Sequence, residues 1–227
     1  METAIVDIAQ VRAKKVWHFP PYSLAVQSVM VQLGNSSFPI YPLGELVTIS
    51  RGYTIKSQAT EGIPIVTSGN LTDTGIDLTD VGTFITPEEH QKLSATQLRK
   101  GNIVISLAGR LSKVAVYQSD EPANLNANLA MLTVIGDIDI AYLVSYLNSD
   151  IGQALIHLQA TGSTQPFLRI SDLAKLPVIV PPLVIQKQIA SQAQELINQA
   201  DEFARSAEKN RADARNLFEK LRKGELK

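Results

Sequence analysis

Between residues 182 and 223, small or apolar side chains return in alternating steps of four and three: Ile189, Ala193, Leu196, Ala200, Phe203, Ala207, Asn210, Ala214, Leu217 and Leu221. That spacing is a heptad seam and predicts one long helix. Pro181 and Pro182 stand in front of it and Gly224 just behind, so both ends are marked. A helix over this stretch would reach roughly 63 Å, too long for one wall of a small domain. Ala193, Ala200, Ala207 and Ala214 recur every seven residues. Small residues at every second layer let two backbones approach towards the lower end of the usual ~8–10 Å. A second line, Ile197, Ala204 and Phe218, widens the apolar face. Such a stripe also suits packing on the chain's own domain. With no second long helical pattern in the sequence, a pairing of two copies is expected instead. Asn210 either sets the register of that pair or marks where it opens to water.

Upstream the apolar runs are shorter. Ile63–Thr67, Ile103–Leu107, Lys113–Tyr117 and Met131–Ile135 are β-branched and bounded by turn formers, so they predict strands. Gly109 sits between the second and third, which predicts a hairpin with a five-residue connection. Thr86-Pro87-Glu88-Glu89 reads as a helix start, with Thr as cap, Pro in the first turn and acids at the positive dipole end. Ile140–Leu158 reads as a helix weakened by Asp150 and Gly152. Near the start, 1–16 suits a short helix that WHFPPY at 17–22 breaks. Residues 23–33 suit a strand, and GNSSFP at 34–39 a turn-rich linker. The expected organisation is an N-terminal segment 1–39 of unassigned role, a mixed α/β domain 40–180 of the α+β class, and a helix 181–227.

Composition narrows the function. At 44% hydrophobic and 19% charged over 227 residues, the chain can bury a core. Cysteine is absent, which excludes disulfides, thiolate nucleophiles and Cys-based zinc sites. The three histidines, His18, His90 and His157, are too scattered for a His-rich metal site. His157 is expected at a core edge. No apolar run approaches the ~20 residues of a membrane span, and the N-terminus is not a secretory signal, so a cytoplasmic setting is expected. Residues 40–180 carry nine basic and thirteen acidic groups. Any contact with DNA is therefore expected through a local patch, or with a basic partner doing much of the electrostatic work. Phosphate-binding loops, HExxH, nucleophile-elbow and dinucleotide fingerprints are all missing. FPPY at 19–22 only imitates the adenine methyltransferase motif, with Phe19 where an amide or carboxylate is required.

Four segments in order carry a family resemblance: YPLGELVTISRGYT at 41–54, GIPIVTSGNL at 62–71, LRKGNIVISLAGRLSKVAVY at 98–117 and GSTQPFLRISDLAKLPVIVPPLVIQKQIA at 162–190. Together with the long helix they resemble the target recognition domain of the DNA specificity subunit of type I restriction–modification enzymes. The resemblance covers about 40–224. The family usually has Gly-Asp where Gly101-Asn102 stands, and a second glycine at Arg110-Leu111-Ser112. Its typical member has two recognition domains and two long helices, so this chain resembles a half-subunit.

The resemblance implies a non-catalytic subunit without cofactors. Its implied partners are double-stranded DNA, a second copy of the chain in an antiparallel homodimer, adenine methyltransferase subunits that use S-adenosylmethionine, and an ATP-using nuclease–translocase. The DNA-contact candidates are polar residues in turn-rich segments. They are Arg51, Tyr53, Lys56 and Gln58; Ser68 and Asn70; Arg110, Ser112 and Lys113; and Thr164, Gln165 and Arg169. Arg and Lys suit guanine, Asn and Gln suit adenine. Gln165 also suits a turn-fixing role, and Gly162 a positive φ. Two other readings remain: a coiled-coil dimerisation or scaffold protein with no DNA role, and a recognition module of a restriction system outside type I.

Overall fold

The computed structural model describes residues 31, 33–55, 59–72, 75–109, 111–162 and 164–224. In chain order the elements are β1 (Ile40–Pro42), α1 (Leu43–Leu46), β2 (Val47–Arg51), β3 (Ile63–Val66), β4 (Leu71–Thr72), β5 (Gly75–Ile76), β6 (Phe84–Ile85), α2 (Pro87–Lys92), a 3₁₀ turn (Ser94–Thr96), β7 (Ile103–Ser106), β8 (Val114–Val116), β9 (Asn124–Leu125), β10 (Leu129–Val134), α3 (Ile140–Asn148), α4 (Asp150–Gln159), α5 (Ile170–Leu173), β11 (Pro177–Ile179) and α6 (Leu183–Arg222). The described residues up to Gln186 form one compact unit, and those from Lys187 a second.

The first unit is built on an antiparallel sheet in the order β2-β10-β7-β8. β7 is buried along its whole length, as its unbroken IVIS run requires. Val104 and Ala115 face each other across the β7–β8 pair, and Met131 opposes Val104 from β10. With Val66, Leu71, Leu98, Tyr117, Leu125 and Leu129 they form one apolar cluster. Successive strand residues alternate faces, so Ile103 and Ile105 point to the other side. The β4–β5 hairpin and α3 both lie against β8. A three-stranded sheet, β6-β3-β9, mixes an antiparallel and a parallel pairing. A separate pair, β1 with β11, brings residues 40–42 to 177–179. The fold is therefore the mixed α+β domain expected, followed by a long helix.

The four strands expected between residues 63 and 135 are each present within two residues of their predicted ends. The β7–β8 connection is longer than expected, running from Leu107 to Lys113. Thr86 caps α2 with a complete capping box: its Oγ1 accepts from Glu89 N, and the Glu89 carboxylate accepts from Thr86 N. The stretch 140–158 is two helices, not one weakened helix. Ser149 ends α3 and starts α4, with φ −70° and ψ 163°. A Cβ at Gly152 would lie 2.2 Å from the carbonyl oxygen of Tyr146, so α4 can turn back on α3 only over a glycine. Val31, Leu33 and Gly34 are helical, so that end of 23–33 is not a strand. The rest of the expectations for 1–30 lie outside the described residues.

α6 runs for 40 residues, roughly 60 Å. Gln186, in its first turns, is 1% exposed. Its Nε2 donates to Pro181 O at 2.8 Å and its Oε1 accepts from Asp139 N at 2.8 Å. Further along, Leu196, Phe203, Leu217 and Leu221 are between 54% and 75% exposed. Ala200, Ala207, Asn210 and Ala214 are exposed too. Among the described residues no helix is long and apolar enough to cross a membrane.

Candidate nucleic-acid interface

Five segments meet beyond the end of β2. Tyr53 pairs with Asn126 in a parallel bridge, and Asn126 N donates to Val66 O at 3.0 Å. A Cβ at Gly52 would fall 1.9 Å from the Asn126 carbonyl oxygen, so only glycine lets these two backbones touch. Leu107 N donates to Asn128 O at 2.7 Å, and Leu168 N donates to Leu107 O at 2.9 Å. Ala108 bridges Phe167. A Cβ at Gly109 would sit 3.3 Å from Ser68 Oγ. Residues 51–53, 66–68, 107–109, 126–128 and 167–168 are thus stitched together by backbone contacts.

Side chains add to the stitching. The Arg51 guanidinium lies over the Phe167 ring, 5.1 Å from its centroid. Its Nε donates to Ala127 O at 3.0 Å. Its two terminal amino groups have no partner among the described residues, which leaves a fork for a guanine edge or a phosphate. Tyr53 is 43% exposed beside it. Thr164 and Gln165 stand exposed at the tip of a turn closed by reciprocal Thr161–Phe167 backbone bonds of 2.8 and 2.9 Å. Gly162 in that turn has φ +98°, as its place predicts. Arg169 is exposed next to Leu168, and Lys113 is half-buried at the far end of the 107–113 connection. Lys56, Gln58 and Arg110 lie outside the described residues.

Two of the sequence candidates are held inside the domain. Asn70 is 8% exposed. Its Oδ1 accepts from Thr67 N and Thr67 Oγ1, both at 2.9 Å, and its Nδ2 donates to Asp80 O. Ser112 is 4% exposed. Its Oγ donates to Gln153 Oε1 at 2.5 Å and lies 3.2 Å from His157 Nε2. Gln153 Nε2 in turn donates to Ser112 O at 2.9 Å and to Leu147 O at 2.8 Å. Ser112 has φ +69°, the one positive φ outside glycine among the described residues. The left-handed backbone and the clamp from α4 hold the 107–113 connection. Both side chains are therefore buried and hydrogen-bonded within the domain instead of standing at its surface.

Sequence reasoning missed the segment Asn126-Ala127-Asn128. Its signal was present: an asparagine-rich turn, ANLNANL, between two short strands. Asn102 closes the turn in front of β7. Its Oδ1 accepts from Arg99 N at 2.7 Å, and its Nδ2 adds a bond to Thr133 Oγ1. Among the described residues no cluster of acids and histidines could hold a metal ion.

Charge is sorted between these segments and the rest of the domain. The stretches 51–58, 67–70, 107–113, 126–128 and 161–169 contain five of the nine basic residues of 40–180: Arg51, Lys56, Arg110, Lys113 and Arg169. None of the thirteen acids falls in them. The family model for the type I restriction–modification DNA specificity domain matches residues 35–211. The chain belongs to this family. No curated protein sequence matches the specificity domain described here.

Solved structures share its fold. A chain from a study of complex assembly and conformational transition in a type I restriction–modification system has a TM-score of 0.63 at 18% identity, covering 92% of this chain and 48% of that one. The S subunit of a type I system from M. genitalium gives 0.53 at 18% identity, covering 78% and 43%. The HsdS subunit from Thermoanaerobacter tengcongensis gives 0.56 at 17% identity, covering 87% and 44%. The chain spans about half the length of these relatives.

Proposed function

We propose that this specificity domain reads a DNA sequence for a restriction–modification complex and performs no chemistry itself. The carrying observation is the sorted charge. Five loop segments without a single acid, Arg51 among their residues, meet at one place on a domain in which thirteen acids face nine bases. Basic side chains there hold phosphates, while amides, hydroxyls and the Arg51 fork meet base edges. Few phosphate contacts are on offer, so the chain alone binds weakly, and its affinity falls with salt by about 0.9 log units per contact and log unit of salt.

The long helix completes the reading. Its exposed apolar seam suits a second helix of the same kind, and an antiparallel pair of two copies covers it. Such an assembly directs adenine methyltransferase subunits and a nuclease–translocase to the site. The scaffold reading, a coiled-coil protein with no DNA role, leaves the acid-free loop cluster unexplained.

Affinity purification of the tagged protein from its host tests this, together with methylation mapping of the host genome with and without the gene. A co-purifying methyltransferase and one modified motif lost with the gene are expected. No methyltransferase and an unchanged methylome would overturn the proposal.

A further inference from the structure

Asn128 has the properties a base-reading residue needs. Both of its backbone polar groups are engaged: the N–H donates to Asn126 Oδ1 at 3.1 Å, and the carbonyl accepts from Leu107 N at 2.7 Å. The residues on either side are fixed as well. Ala127 O accepts from Arg51 Nε, and Leu129 N donates to Asn126 O at 3.1 Å. The side chain, by contrast, is exposed, and its amide has no partner among the described residues. A flexible surface asparagine would lose entropy on reaching a base. Here the backbone has already been ordered by folding.

We infer that Asn128 is a specificity-determining residue that reads an adenine. The inference rests on the DNA-reading function proposed above. Its place carries the argument: the pinned 126–128 turn joins the Arg51 fork to the start of the 107–113 connection, in the middle of five stitched segments that contain no acid. A carboxamide presents one donor and one acceptor side by side. Adenine shows the matching pair, N7 and the N6 amino group, on its major-groove edge, and no other base offers that pair in that order.

The test is selection from a library of randomised duplex DNA by the full-length chain at low salt, comparing wild type with Asn128→Ala and Asn128→Asp. Neither change removes a contact within the domain, so both variants should melt with the wild type. Asn128→Ala should keep the rest of the motif and lose about tenfold or more of the discrimination for A·T at one position. Asn128→Asp keeps the size but only accepts, so the same position should shift towards the cytosine N4 amino group. A wild type that enriches no motif would sink the DNA-reading proposal itself. A wild-type motif left intact by both variants would overturn the role of Asn128 alone. If Asn128→Ala failed to fold, Asn128→Asp would still decide, since an unchanged motif there has the same meaning.

Discussion

Ser112, read from sequence as a surface contact, is placed by the structure against α4. A hydroxyl in a basic loop reads as a DNA contact, yet its backbone is left-handed and its hydroxyl faces α4. A left-handed non-glycine residue costs roughly 1–2 kcal/mol. The bonds to Gln153 offset that cost. Ser112→Ala keeps the strain, loses the hydroxyl and leaves Gln153 Oε1 without its donor, so it should destabilise by about 1–3 kcal/mol. Ser112→Gly loses the same bond but relieves the backbone, and should fall short of Ser112→Ala by roughly 1 kcal/mol. Urea unfolding of the two variants reads the difference, and equal losses would mean that the positive φ is not strained. Tyr142 gives a residue-scale prediction in pH. Its hydroxyl donates to Ile179 O at 2.7 Å, and burial pushes its pKa up to about 12 from 10.0. Tyr146, which donates to Pro177 O, is raised further, by burial first and by Tyr142 second. Below pH 10 the folded and unfolded chains both hold these protons, and the stability is fully present. Between pH 10 and 12 the unfolded chain releases a proton that the folded one keeps, so stability falls as pH rises through that window. Tyr142→Phe should cost on the order of 1 kcal/mol at neutral pH. It should also flatten the alkaline loss, as seen by denaturant titrations at stepped pH.

Elements were the most legible scale. β7, β8, β10 and the capped helix α2 were read from β-branched runs and from Thr86-Pro87, because those signals are local. The break at Ser149 was not legible as a full turn of the chain. Whether a glycine inside a helical run merely weakens it or lets two helices fold back depends on what lies against it, here the Tyr146 carbonyl. The same holds for the candidate site. Tyr53, Ser68, Thr164 and Gln165 were legible as polar residues in loops, while Arg51, read as a loop residue, ends β2. That Asn70 and Ser112 turn inwards depends on partners ten and forty-one residues away. Asn126–Asn128 escaped because a turn between two short strands looks structural until the neighbouring loops are seen. The seam of α6 carries the prediction at this scale. Replacing Ala200 and Ala207 together with Leu leaves the exposed helix of a single chain intact, but puts two bulky groups where two helices approach closely. Overpacking should cost about 1–3 kcal/mol per site, felt only by the pair. Sedimentation should show a dimer in the wild type and a much weaker one in the double variant. A wild-type monomer would remove the support for self-pairing.

For the whole molecule, symmetry links the two parts of the proposal. A two-fold pair built through α6 presents the same five loops twice, in opposite directions. The recognised site is then two inverted copies of one short half-site, separated by bases that are not read. In an antiparallel pair the length of helix sets the separation, so the gap is constant. Removing one heptad, Phe203–Lys209, takes out roughly 10 Å of helix and keeps the seam in phase. The half-sites should then stay the same while the gap between them shortens. A substitution in the loops acts on the other variable: Arg51→Ala removes the fork over Phe167 and should alter or abolish reading within each half-site, leaving the gap untouched. Methylation mapping in hosts carrying each variant separates the two effects in one experiment. A wild-type target that is asymmetric would mean that a different specificity chain is the true partner of α6, and the argument from two-fold symmetry would fail.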